Sequence, residues 1–152
     1  MPTRYSGTEE EVRALNAYIN LMRASQSVYA KVERSLGLQG FTVSQFGILE
    51  ALFHVGPMCQ KDLAKKVLKT EGNLTTVITT MEKRGLVKRE VQENDRRYIT
   101  VTLTPKGRSL ISDMFPIHVM GVARMFRCLS LEEQESLRGI CRTLGKSIQK
   151  ES

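Results

Sequence analysis

The sequence predicts a mainly α-helical chain with one small β-hairpin, an α+β class, and three observations predict it. Apolar residues recur at helical spacing over most of the chain. Serine or threonine stands three residues before Glu or Gln at three helix starts. Only the stretch from 86 to 103 reads as two short β-branched runs around a charged turn.

The first helix opens at "TEEEVRAL", where Thr8 and Glu11 have capping-box spacing. Its stripe runs Val12, Leu15, Ile19, Met22, Val28, Tyr29, Val32 and Leu36, widened by Ala14, Tyr18 and Leu21. A face that broad suggests burial against more than one neighbour. Gly37 and Gly40 stop it. "TVSQFGILEALFHVGP" starts a second helix with the Thr42–Gln45 box and stops it at Gly56-Pro57. "QKDLAKKVL" is a short third helix with Leu63, Ala64, Val67 and Leu68 on one side. Thr70 caps a fourth, "EGNLTTVITTMEKRG", whose Leu74, Val77, Ile78 and Met81 fall on one face and which Gly85 ends.

"LVKREV" and "YITVTL" form the hairpin, with Glu93, Asp95, Arg96 and Arg97 at its tip. Thr104-Pro105 then starts a fifth helix as N-cap and first residue. Its stripe is Ile111, Met114, His118, Val122, Met125 and Leu129, with a kink expected at Pro116. Ser130 and Glu133 box a sixth helix carrying Leu137, Ile140, Cys141, Leu144 and Ile148. The third and fourth helices, joined by a very short turn, have helix-turn-helix form, and the hairpin has the position of a wing.

With 152 residues the chain is one domain, or one domain with helical extensions. No apolar run approaches the roughly 18 residues a membrane helix needs, and residues 1–11 lack a signal-peptide core. A cytoplasmic protein without a membrane partner is expected. Cys59, Cys128 and Cys141 fit neither a disulfide framework nor a zinc site, and no nucleophile elbow, phosphate loop or HExxH occurs. No metal, no cofactor and no enzymatic activity are expected. Residues 59–108 hold twelve Lys and Arg against six acids, so most of the net charge of +7 sits in one third of the chain. A concentrated basic block points to a polyanion.

The fourth helix offers small polar residues on its non-apolar side: Gly72, Asn73, Thr75, Thr76 and Thr79, with Thr70 just before it. Short side chains allow close approach to a groove, and Asn and Thr exchange hydrogen bonds with base edges. Lys65, Lys66, Lys69, Lys88 and Arg89 surround that face and suit phosphates. Arg96 and Arg97 at a wing reach a minor groove, whose narrow A·T-rich form concentrates negative potential. Asp95, repelled by phosphate, is given a structural role beside a neighbouring arginine. Double-stranded DNA is therefore the expected partner; a solvated threonine face is the plain alternative.

"TVSQFGILEAL", "KDLAKKV", "TTMEKRGLVKRE", "DRR" and "VTLTPKG", in that order, resemble the MarR-type winged helix-turn-helix repressors over residues from about 42 to 112. The resemblance implies a winged helix-turn-helix with a helical dimerisation region. It divides the chain into an N-terminal dimerisation helix (1–40), a DNA-binding lobe (41–104) and C-terminal dimerisation helices (105–152). It implies a homodimeric, sequence-specific regulator, a repressor in kind, released from a pseudo-palindromic operator by a small aromatic or phenolic effector. It also maps the wing aspartate and the second arginine after it onto Asp95 and Arg97. One departure stands out: many relatives carry Arg or Lys where this chain has Thr76.

Two switch candidates remain. Cys59, just before the third helix and next to Gln60 and Lys61, suits a redox-sensing regulator; the plain reading is a cysteine in place of a capping serine or threonine. His118 suits an effector carboxylate or phenol; the plain reading is a satisfied core histidine. A winged-helix protein-interaction module is the third alternative, and the concentrated positive charge speaks against it.

Overall fold

The computed structural model describes residues 3–67 and 71–152. Leu68, Lys69 and Thr70 lie outside the described residues, and with them the cap expected of Thr70 and the phosphate contact expected of Lys69. The order is α1 (Glu9–Leu38), α2 (Val43–Val55), β1 (Met58–Cys59), α3 (Gln60–Lys66), α4 (Glu71–Lys83), β2 (Val87–Gln92), β3 (Asp95–Leu103), α5 (Pro105–Phe126) and α6 (Leu131–Glu151). This is the mainly helical fold with a hairpin wing that the sequence predicts. Among the described residues no helix is long and apolar enough to cross a membrane.

All three capping boxes form. Thr8 with Glu11, Thr42 with Gln45, and Ser130 with Glu133 exchange side-chain and backbone hydrogen bonds at the starts of α1, α2 and α6. Each satisfies two helix-end N–H groups that have no partner inside the helix.

The end of α1 corrects the expected stop at Gly37, which is still helical; the chain turns at Gly40, with φ +82°. There the Phe41 N–H donates to Leu36 O and the Gly40 N–H to Gly37 O, and Phe41 and Leu36 are both buried. That pair of bonds needs a left-handed residue only at its outer position. The end of α4 repeats the device. Gly85 has φ +74°, Leu86 N–H donates to Met81 O, Gly85 N–H to Glu82 O, and Leu86 and Met81 are buried.

The sheet has the order β1-β3-β2, all antiparallel. β1 is an addition to the expected hairpin: Met58 pairs with Val101 and Cys59 with Thr100. The hairpin also runs further than expected. β2 reaches Gln92 and β3 starts at Asp95, so the tip is Glu93-Asn94, and Arg96 and Arg97 lie within the span of β3. The register slips there: Val91 faces Ile99 but Gln92 faces Asp95, so Arg96, Arg97 and Tyr98 bulge from the ladder.

Two compact units divide the chain, residues up to His118 and Val119–Ser152. In the first, Phe46, Ile48, Leu49 and Leu52 of α2, Leu63 and Ala64 of α3, Leu74, Ile78 and Met81 of α4, Val87 and Val101 of the sheet, and Ile111 and Met114 of α5 share one core. Burying each large aliphatic side chain contributes about 1.5–3 kcal/mol. The motif "LTPKG" closes this core. Thr104 Oγ1 donates to Gly85 O at 2.6 Å and accepts from Gly107 N–H at 3.0 Å, so it caps α5 while fastening the end of α4. Gly107 is required: a Cβ there would lie 2.0 Å from Leu86 O.

α5 continues through Pro116 and ends at Phe126, short of Leu129. In the second unit, α6 has no buried residue, and Leu137, Ile140, Leu144 and Ile148 are exposed. Cys141, on the same helix, is exposed too.

Candidate nucleic-acid interface

The periodicity of α4 sorts its side chains between two faces. Leu74, Ile78 and Met81 are buried in the core, while Gly72, Asn73, Thr75, Thr76 and Thr80 are exposed and Thr79 half-buried. Thr79 Oγ1 donates to Thr75 O at 2.9 Å, and Thr80 Oγ1 to Thr76 O at 3.2 Å. Those hydroxyl hydrogens are engaged by the helix itself, leaving oxygen lone pairs and methyl groups for an outside partner. Gln60, the first residue of α3, donates from Nε2 to Thr75 Oγ1 at 2.6 Å and so braces the two helices against each other.

In the wing, Asp95 and Arg97 form a fork. Arg97 Nε donates to Asp95 Oδ1 at 3.0 Å and Nη2 to Oδ2 at 2.9 Å, and the Arg97 backbone N–H adds a third bond to Oδ1 at 3.0 Å. The guanidinium bonds first, then that backbone N–H, hold the Asp95 carboxyl below its ordinary pKa, and the carboxylate in turn raises that of Arg97. The Arg97 side chain is 88% exposed, against 29% for Asp95. Of the five N–H bonds of a guanidinium two are engaged by Asp95, which leaves three over.

The basic residues differ in freedom. Lys65, Lys66 and Lys88 are exposed, with Lys88 Nζ 3.8 Å from Glu90. Arg89, read from the sequence as a phosphate contact, is held by Glu82: its Nη2 donates to Oε1 at 3.0 Å and its backbone N–H to Oε2 at 3.1 Å. Those two bonds, side chain first, lower the Glu82 pKa. They tie β2 to α4, which is the wing to the reading helix.

Cys59 caps α3, its Sγ accepting from Asp62 N–H at 3.4 Å, the place a serine or threonine hydroxyl usually fills. It also lines a cleft of ≈ 420 Å³ with Gln60, Lys61, Arg97, Tyr98 and Ile99. His118 lies with its ring 4.6 Å from that of Phe46 and 6.4 Å from that of Phe115. His54, for which the sequence offers no partner, is 4.6 Å edge-on to Phe115 and 5.1 Å from Phe53. A second cleft, ≈ 620 Å³, opens between α1, α2 and α3; Val43, Ala51, Val55 and Val67 wall it, together with the polar Tyr29, Ser44 and His54 and the charged Glu50 and Lys66. His118 is not among its lining residues.

A helix-turn-helix whose second helix presents small polar groups, followed by an arginine-bearing wing, defines a DNA-binding transcriptional regulator of the winged-helix class. The MarR family model matches residues 41–99, from the start of α2 to β3. The chain is 37% identical over 135 residues to the uncharacterised HTH-type transcriptional regulator YkoM of Bacillus subtilis, covering 88% of each chain. Among solved structures it is similar to Sco3205, a MarR-family regulator of Streptomyces coelicolor in complex with DNA. That likeness has a TM-score of 0.82 and 27% identity, over 98% of this chain and 94% of the other. It is also similar to BpsR of Bordetella bronchiseptica, whose DNA binding is regulated by 6-hydroxynicotinic acid. There the TM-score is 0.78 and the identity 27%, over 85% of this chain and 98% of the other. This chain belongs to the MarR family.

Proposed function

We propose that the chain acts as a homodimer on a pseudo-palindromic duplex, repressing transcription until a small aromatic or phenolic effector releases it. Two-fold symmetry sets the two α4 helices in successive major grooves about 34 Å apart. Residues 1–40 and 105–152 supply the dimerisation helices and 41–104 the DNA-binding lobe. Gly72, Asn73, Thr75, Thr76 and Thr79 approach the bases, with Thr70 beside them. Arg96 and Arg97 enter the adjacent minor groove, and Lys65, Lys66, Lys69 and Lys88 meet phosphates. Arg89 joins them through the guanidinium N–H groups that its bond to Glu82 leaves over.

The Asp95–Arg97 fork carries this reading. An exposed ion pair contributes little to stability. Its effect is to hold one guanidinium still, with three N–H bonds left over, before any partner arrives. Gly72 supports the same reading: a Cβ there would meet nothing within 4 Å among the described residues, and the bare backbone allows close approach from outside. DNA and a regulating ligand are named for Sco3205 and BpsR, and both relatives cover more than four fifths of this chain. The cleft between α1, α2 and α3 has the size of a small-molecule site, and Lys66 and His54 in its lining suit a carboxylate or phenol. Such an effector acts only if it binds the DNA-incompetent form more tightly.

The test is selection of bound sequences from a random duplex pool, followed by titration of the selected duplex. A two-fold site and nanomolar binding are expected. Arg97→Ala weakens binding by more than about 1 kcal/mol; unchanged affinity in that variant removes the wing from the interface. Binding with no salt dependence favours a protein partner over DNA.

A further inference from the structure

A cleft of ≈ 420 Å³ lies between the wing and the start of α3. One side is Gln60 and Lys61, the other Arg97 and Tyr98, and the half-buried Cys59 and Ile99 form the floor. The register slip in β3 produces the second side: three residues leave the ladder, and the Tyr98 ring stays half exposed instead of packing across the hairpin. Gln60 joins the first side to α4 through its 2.6 Å bond to Thr75. It is flanked by two cations, Lys61 and Arg97, and the carboxylate nearest to Arg97 is already engaged by it.

We propose that this cleft is a seat for one sugar–phosphate strand, and that Lys61 and Tyr98 are DNA-backbone contacts. The inference rests on the DNA-binding reading above. With α4 in a major groove and the wing in the adjoining minor groove, the strand that separates those grooves has to pass between them. The cleft has Gln60, which is bonded to Thr75 of α4, and Arg97 of the wing among its lining residues. Its chemistry suits the passage. The Lys61 ammonium meets a phosphate, the Tyr98 hydroxyl donates to a phosphate oxygen, and the ring lies against a deoxyribose. The contacts hold the helix and wing in register on the duplex without reading its bases.

The experiment compares full-length wild type, Lys61→Ala, Tyr98→Phe and, as a distant control, Lys146→Ala on α6. Each is titrated with a selected operator duplex and with an unrelated duplex across a salt series. Lys61 and Tyr98 are exposed, and thermal melts verify that each variant stays folded. Lys61→Ala is expected to weaken both duplexes by the same factor, at least about threefold, and to lower the slope of log K against log salt by about 0.9. Tyr98→Phe weakens both equally with no change in slope, and Lys146→Ala changes neither. An unaltered slope for Lys61→Ala, or a loss confined to the selected duplex, overturns the seat while leaving the DNA-binding reading intact. Failure of the wild type to bind either duplex overturns that reading itself.

Discussion

The lobe built on α2 to β3 and the terminal helix α6 solve the burial problem in opposite ways. In the lobe every element turns its apolar face inward, and Leu49, Leu63, Leu74, Ile78 and Val101 are fully buried. α6 carries an equally regular apolar stripe, yet Ile140 is 66% exposed and nothing on the helix is buried. Along that stripe runs a groove lined by Ser136, Gly139, Thr143 and Ser147 beside Ile140 and Leu144. A Cβ on Gly139 or Gly145 would meet nothing within 4 Å. Small residues with room above them allow another backbone to approach. The lobe buries its apolar faces within itself; α6 leaves its stripe uncovered, which suits the proposed homodimer.

Four measurements break or sharpen this contrast. Ile78→Ala opens a cavity under the reading helix and lowers stability by about 2–5 kcal/mol in chemical denaturation. Gly107→Ala forces Leu86 O away from the start of α5; we expect a loss of about 1–3 kcal/mol, read by the same assay. Ile140→Asp on α6 raises the dimer dissociation constant more than tenfold by sedimentation, about 1.4 kcal/mol, without moving the unfolding of the lobe. A single transition that falls for both Ile78→Ala and Ile140→Asp would erase the distinction between the two regions.

The smallest effect is a pH dependence. The Glu82 pKa is depressed in the folded state, so its bond to Arg89 contributes fully above the ordinary carboxylate range. That contribution is lost as pH falls through the folded value. Glu82 is more than a third exposed, which limits the effect to under about 1 kcal/mol. Glu82→Gln should flatten the acid limb of the stability curve by that amount, and an acid limb identical to wild type would show the pair to be inert.

What was legible in the sequence was local. Each capping box joins residues three apart, so Thr8, Thr42 and Ser130 mark their helices without knowledge of the fold. β1 escaped because a two-residue strand has no pattern of its own; only Thr100 and Val101, some forty positions on, make it one. Gly37 misled because two glycines stood near one helix end and only the outer one adopts a left-handed backbone. The pairing of Asp95 with Arg97, two residues apart, was expected and forms, but the longer-range pairings of the candidate site were not visible. Glu82 reaches Arg89 across a turn, and Gln60 reaches Thr75 across a whole helix. Partners set by tertiary contact leave no periodic trace.

Arg84 sits where three elements end or begin. Its guanidinium lies 4.2 Å over the Phe41 ring and donates to Gly40 O at 3.2 Å, while Lys106 Nζ donates to the Arg84 carbonyl at 3.0 Å. The foot of the long first helix, the foot of the reading helix and the head of α5 are thereby pinned at one point. The thirty-residue first helix thus bears directly on the end of α4 through a single arginine.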